Sequence, residues 1–119
     1  MKKILVADDN PAILDALKIM LEEEGYEVDT TEDGAVAQHM KKPLPDLLLL
    51  DVWMSGIDGR DVCKYLKSSE QTKHLPIIII SAAKDIEYIG KEAGADDFIS
   101  KPFQREHLLE VVDKHINKH

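Results

Sequence analysis

Four apolar runs in this chain end on residues that carry chemistry. Ile4-Leu5-Val6-Ala7 runs into Asp8-Asp9, Leu47-Leu48-Leu49-Leu50 into Asp51, Ile77-Ile78-Ile79-Ile80 into Ser81, and Phe98-Ile99-Ser100 into Lys101-Pro102. A carboxylate at the end of a buried strand is costly to desolvate unless something pairs with it. If the runs are strands entering a sheet from one side, these groups meet each other. Two carboxylates about 4 Å apart repel by roughly 4 kcal/mol at an effective dielectric of 20. The three acids Asp8, Asp9 and Asp51 outnumber the one ammonium of Lys101. Either their pKa values rise or a divalent cation joins them, and hard oxygen ligands suit Mg²⁺. A carboxylate beside Mg²⁺, a lysine and a hydroxyl is equipped for phosphoryl transfer. The cation and Lys101 neutralise the phosphoryl oxygens while Asp51 attacks in line, giving an aspartyl phosphate. No strong general base stands nearby in sequence, so such a modification would persist long enough to act as a signal.

The elements that must position these groups follow from pattern. Four leucines in a row, like four isoleucines, cannot alternate inside and out, which is the mark of a parallel strand covered on both faces. Asn10-Pro11 supplies an N-cap and a proline at the first helical position. Ile13, Leu17, Met20 and Leu21 then share one helical face, closed by Gly25. Tyr26 to Thr30 reads as a weak strand. Asp33 is expected to cap a second helix carrying Ala35, Val36, Ala37 and Met40, ended by Pro43 and Pro45. Asp58 should cap a third with Val62, Tyr65 and Leu66 inward, and Asp85 a fourth with Ile86, Ile89 and Ala93 inward. The last helix holds Leu108, Leu109, Val112 and Ile116. Five strands alternating with five helices predict an α/β fold, a doubly wound five-stranded parallel sheet whose ligands bind beyond the carboxyl ends of its strands.

Composition narrows the partners. At 119 residues the chain, 1–119, is expected to form a single domain. A formal net charge of −8 argues against nucleic acid. No run approaches the ~20 apolar residues of a membrane span. Cys63 is the sole cysteine, which excludes an internal disulfide and fits a reducing, cytoplasmic setting.

The motifs in order, Asp8-Asp9, Asp51, Ser81 and Lys101-Pro102, together with Met54-Ser55-Gly56-Ile57-Asp58-Gly59 and Gly94-Ala95-Asp96-Asp97-Phe98, resemble the receiver domain of two-component response regulators over essentially the whole chain. The resemblance implies a flavodoxin-like (βα)5 fold with strand order 2-1-3-4-5. It implies Asp51 as the phosphoacceptor, charged by a histidine kinase or phosphotransfer protein. Asp9 would bind Mg²⁺ directly, Asp8 largely through water, with Asp51 and the backbone carbonyl of Trp53 as further ligands. Lys101, in a cis bond to Pro102, would hold a phosphoryl oxygen. Ser81 would follow the phosphoryl group inward, and Phe98 would turn into the space it leaves. The output would be the surface of helix four, strand five and helix five, read by a downstream protein partner or a fused effector domain, with the domain a monomer or weak homodimer. Such a domain is not an enzyme beyond its own phosphotransfer and autodephosphorylation. Three departures stand out: Ser81 where threonine is commoner, Phe98 without a phenol, and Ser55 in place of a common proline.

Other readings are weaker. A pseudo-receiver used only for docking would not need the full set of site residues. A magnesium-dependent phosphatase with an aspartyl nucleophile wants a second acid two residues after it, where Trp53 stands. A flavin module wants a hydroxyl-rich phosphate loop where Asp8-Asp9 would repel phosphate. Trp53 is expected to be half exposed and to shield the phosphoryl group. His115 and His119, four apart, are expected at a solvated helix end; His39, His74 and His107 show no partner. Cys63 reads as a passive helix residue and Glu22-Glu23-Glu24 as a solvated face.

Overall fold

The computed structural model describes residues 1–54 and 56–117. Strands β1 (Lys3–Ala7), β2 (Glu27–Thr31), β3 (Leu47–Asp51), β4 (Ile77–Ser81) and β5 (Asp97–Ser100) form one parallel sheet in the order β2-β1-β3-β4-β5. Helices α1 (Pro11–Glu23), α2 (Gly34–Gln38), α3 (Gly59–Ser68), α4 (Ile86–Ala93) and α5 (Arg105–Ile116) alternate with them. A two-residue antiparallel ladder pairs Trp53–Met54 with Ile57–Asp58 and lies outside the main sheet. The expected strand order and double winding are both observed.

The leucine run explains the layering. Leu47 to Leu50 are all fully buried, and successive residues face opposite sides of the sheet. Leu47 and Leu49 join Ile78, Ile80 and the inner faces of α1 and α5 in one apolar cluster. Leu48 and Leu50 join Ile77, Ile79 and the inner faces of α3 and α4 in the other. Each such side chain stabilises the fold by roughly 1.5–3 kcal/mol relative to exposure. β3 is therefore held from both sides, and its carboxyl end is a fixed point.

Local signals set the ends of the helices. The Asn10 side chain accepts from the N–H groups of Ala12 at 2.9 Å and Ile13 at 3.4 Å, with Pro11 at the first helical position. Asp33 and Asp58 cap α2 and α3 by accepting from Ala35 N–H and Arg60 N–H. Asp85 precedes α4 without a side-chain cap bond.

Several expected faces are corrected. In α1 the buried residues are Leu14, Leu17 and Leu21, while Ile13 and Met20 are only half-buried at its edge. In α3 the inward residues are Val62, Cys63 and Leu66, and Tyr65 is 47% exposed, its ring set edge-on against His39 at 5.9 Å. α2 stops at Gln38, well before Pro43. Only Gly34 and Ala37 reach the core, so packing rewards little more than one turn of a segment that begins with a poor helix former. In α5 Val111 and His115 lie inward and Leu109 is half-buried. His115 does not end in solvent: it is 9% exposed, with Nε2 at 2.8 Å from Asp97 Oδ2. His119, its expected companion, and Ser55 lie outside the described residues. Burial pushes the Cys63 thiol up to about 12, so it stays protonated and inert, as expected.

Candidate functional site

Parallel strands deliver their last residues to one edge, and the register shows how. Ala7 aligns with Leu50, Asp51 with Ile80, and Ser81 with Ser100. Asp8, Asp51, Ser81 and Lys101 therefore converge where the chain leaves β1, β3, β4 and β5. Asp8, Asp9 and Asp51 bring one carboxylate oxygen each within 4.8 Å of one another. Asp8 and Asp51 are buried, and Asp9 is exposed at the mouth.

The lysine only partly offsets this charge. Lys101 Nζ lies 2.9 Å from Asp8 Oδ2 and 3.6 Å from Asp51 Oδ1, so its firm partner is Asp8. The other Asp8 oxygen accepts from Asn10 N–H at 2.9 Å. Asp51 is left with the weaker share. Burial first, then the charge of Asp8, push its carboxyl up to about 6, against the pull of Lys101 and a Trp53 backbone hydrogen bond. The donor set of three carboxylates with a deficit of positive charge fits a hard divalent cation such as Mg²⁺.

Ser81 is fully buried, and its Oγ accepts from Ala83 N–H at 3.1 Å. That bond fixes the hydroxyl in place of the threonine methyl and leaves its proton free to donate. Phe98 aligns with Ile79, two residues before Ser81, so Phe98 and Ser81 are diagonal neighbours on one face of the sheet. Its ring is half-buried against the cluster of α3 and α4. The Lys101–Pro102 bond is cis, as expected, and so is Lys42–Pro43.

Two residues given no role by the sequence shape the rim: Gly59, which closes the loop motif, and Arg60, which lies outside it. Gly59 begins α3 against the backbone of β3: a Cβ there would collide with the Asp51 carbonyl oxygen, and its N–H donates to Val52 O at 2.7 Å. Arg60 chelates Asp58, with Nε at 3.0 Å from both oxygens, and its guanidinium sits 5.0 Å from the Trp53 ring centroid. The hydrogen bond to Arg60 holds the Asp58 carboxyl below its usual range. Trp53 is 58% exposed, as expected. The Gly-Arg pair following Asp58 was visible in sequence, but only the fold shows what each touches. Glu23 and Glu24, expected as a purely solvated face, stay exposed but meet Arg105 of α5 at 2.7 and 3.4 Å.

Fold and crevice together define a class: flavodoxin-like sheets with an acidic cluster and a lysine at the carboxyl edge. The family model for the response regulator receiver domain matches residues 4–113, and the chain belongs to that family. It is 39% identical over 115 residues to the DNA-binding dual master transcriptional regulator RpaA of Synechocystis sp., covering 94% of this chain and 48% of that protein. The chain thus spans about half or less of the length of the curated relatives it matches. A Chloroflexus aurantiacus structure described as a response regulator superposes with a TM-score of 0.92 at 37% identity, covering 98% of both chains. The receiver domain of a sensor histidine kinase from Pseudomonas aeruginosa, solved with a magnesium ion coordinated in its active-site cleft, gives 0.89 at 27% identity, again over 98% of both. Receiver domains of two-component systems are regulatory elements rather than enzymes in the ordinary sense, and they work with histidine kinases and effector domains. None of the described helices is long and apolar enough to cross a membrane.

Proposed function

We propose that residues 1–119 act as one phosphorylation-dependent signalling switch that takes a phosphoryl group on Asp51 from the phosphohistidine of a kinase or phosphotransfer protein. The observation that carries this reading is the arrangement of Asp8, Asp9 and Asp51 within 4.8 Å, with Lys101 committed first to Asp8. Asp9 stands exposed at the mouth and Asp8 is held by Lys101, so Asp51, buried at the end of β3 and only loosely paired, is the carboxylate placed to act as nucleophile. Asp9, Asp8, Asp51 and the Trp53 carbonyl would hold Mg²⁺, which supplies charge neutralisation for the phosphoryl oxygens when bound. Lys101, 3.6 Å from Asp51, is placed to bind one phosphoryl oxygen. The Ser81 hydroxyl, oriented by Ala83 N–H, donates to another.

The donor's approach has a matching surface. An apolar groove beside the crevice is lined by Ile13 and Met20 of α1 and by Pro102 and Phe103 after β5. A phosphohistidine helix lying on it would present its imidazole over Asp51. Once modified, Ser81 moves toward the phosphoryl group and Phe98, its diagonal neighbour, turns into the vacated space, changing the face of α4, β5 and α5. Trp53 and Arg60 at the rim limit access of water to the acyl phosphate, so autodephosphorylation is slow. The setting is the cytoplasm, and the output a protein partner or linked effector.

The test uses the sole tryptophan. Trp53 fluorescence should change on adding Mg²⁺, and again on adding beryllofluoride or acetyl phosphate. Asp51→Asn should abolish the second change and the gain of one phosphoryl mass. A protein that stays unlabelled with a competent donor and magnesium would instead be a docking-only pseudo-receiver.

A further inference from the structure

The open side of β2 is a feature of the fold to which the phosphoryl-transfer crevice assigns no role. Hydrogen bonds at both ends of the β1–β2 pair, Glu27 N–H to Lys2 O and Asp8 N–H to Thr31 O, turn Glu27, Asp29 and Thr31 toward β1. By the parity of a parallel ladder, Val28 and Thr30 point their N–H and C=O groups outward. Thr30 has no protein partner for either group among the described residues. The Val28 carbonyl is met only by a side chain, Lys18 Nζ at 3.1 Å. A side-chain donor has come in where a strand would otherwise pair.

A groove enclosing about 590 Å³ runs along this edge. α1 forms one wall through Lys18, and the α2–β3 connection forms the other through Met40, Lys41 and Pro43. α2 ends at Gln38 and contributes only Val36 to the lining. Its lining carries Lys3, Lys18 and Lys41. Asp29 takes Lys3 at 2.9 Å and Glu22 takes Lys18 at 2.8 Å, so the surplus on this edge of a chain of net charge −8 is the ammonium of Lys41.

We propose that this edge binds an extended acidic segment of a partner protein, which adds to the sheet as a strand outside β2. Main-chain bonds to Val28 and Thr30 supply the pairing, and alternate side chains enter the groove. An incoming backbone N–H takes over the Val28 carbonyl. The Lys18 ammonium, still paired with Glu22 at 2.8 Å, turns its released N–H to a carboxylate of the segment, with Lys41 meeting a second. A second copy of this chain fits worse. Antiparallel pairing of β2 with itself about its middle sets Asp29 opposite Asp29, and like charges directly opposite are destabilising. The site lies away from Asp51 and does not depend on the phosphorylation reading.

The probe is an acetylated, amidated five-residue peptide of alternating glutamate and valine, with a lysine-valine peptide as control. Amide hydrogen exchange of the full chain is followed by NMR. With the acidic peptide at saturation, Val28 and Thr30 amides should exchange at least about tenfold more slowly, while the lysine peptide leaves them unchanged. Lys41→Glu should weaken the acidic peptide about tenfold. Thr30→Pro, which removes one outward donor from an edge position, should abolish binding while the fold persists. The proposal is overturned by no protection at millimolar peptide, by equal binding of the two peptides, or by protection elsewhere. It is equally overturned if Val28 and Thr30 become protected with rising protein concentration alone, which would make the occupant a second copy.

Discussion

At the scale of single residues, Asp51 is held in the folded chain at a cost. Its carboxyl binds a proton more tightly in the fold, at about 6, than at its ordinary value of 3.8. Stability therefore falls as pH rises through that window and stays lower above it, by about 3 kcal/mol for a shift of this size. Asp51→Asn should accordingly make the magnesium-free protein more stable at pH 7.5 by about 1–3 kcal/mol in urea melts, with the gain gone near pH 4. Magnesium should stabilise the native chain at pH 7.5 far more than the variant. Equal midpoints for both proteins at pH 7.5 would contradict this account. The presence of Asp8, Asp9, Asp51, Ser81 and Lys101 at strand ends was legible in sequence, because each closes an apolar run. That Lys101 favours Asp8 over Asp51 was not, since it depends on distances that differ by less than 1 Å.

At the scale of elements, α3 and α5 each add one close contact to their apolar packing. α3 begins so near β3 that Gly59 has no room for a side chain. Gly59→Ala must push the Asp51–Val52 backbone aside, with an expected loss of about 2–4 kcal/mol and weaker magnesium binding by Trp53 fluorescence. An unchanged magnesium titration would show that the crevice absorbs the shift. α5 is tied to β5 by His115 and Asp97. Burial opposes ionisation of Asp97, but its hydrogen bonds to His115 and to Phe98 N–H prevail and hold the carboxyl below its usual range. Stability from this group is thus present above the ordinary carboxylate value and is lost as pH falls through the lowered one. His115→Ala should cost about 1–3 kcal/mol near neutral pH and move the Asp97 carboxyl titration upward by NMR. The inward place of His115 had a sequence signal: it stands seven residues after Leu108, on the same face as Val112. The expectation of a solvated helix end hid it. The short α2 was less legible, because helix length there follows from how little of it the core accepts.

At the scale of the whole molecule, alternation of apolar runs with helical patterns was enough to give the doubly wound sheet and the edge where chemistry gathers, while the strand order followed from the resemblance to receiver domains. Sequence pattern could not show which helical residues stand at the margin of the core, as Tyr65 illustrates: expected inward, it is 47% exposed, and Cys63 fills the inner face. One consequence of the two buried runs concerns the chain before it folds. Leu47–Leu50 and Ile77–Ile80 are uncharged and apolar, the composition that favours intermolecular cross-β pairing when unprotected. Asp46 and Asp51 bracket the first, and Pro76 precedes the second, so the chain carries gatekeepers at both. Asp51 then guards against aggregation in the nascent chain with the same charge that burdens the finished one, and neutral substitutions that ease the fold should make refolding from denaturant less clean.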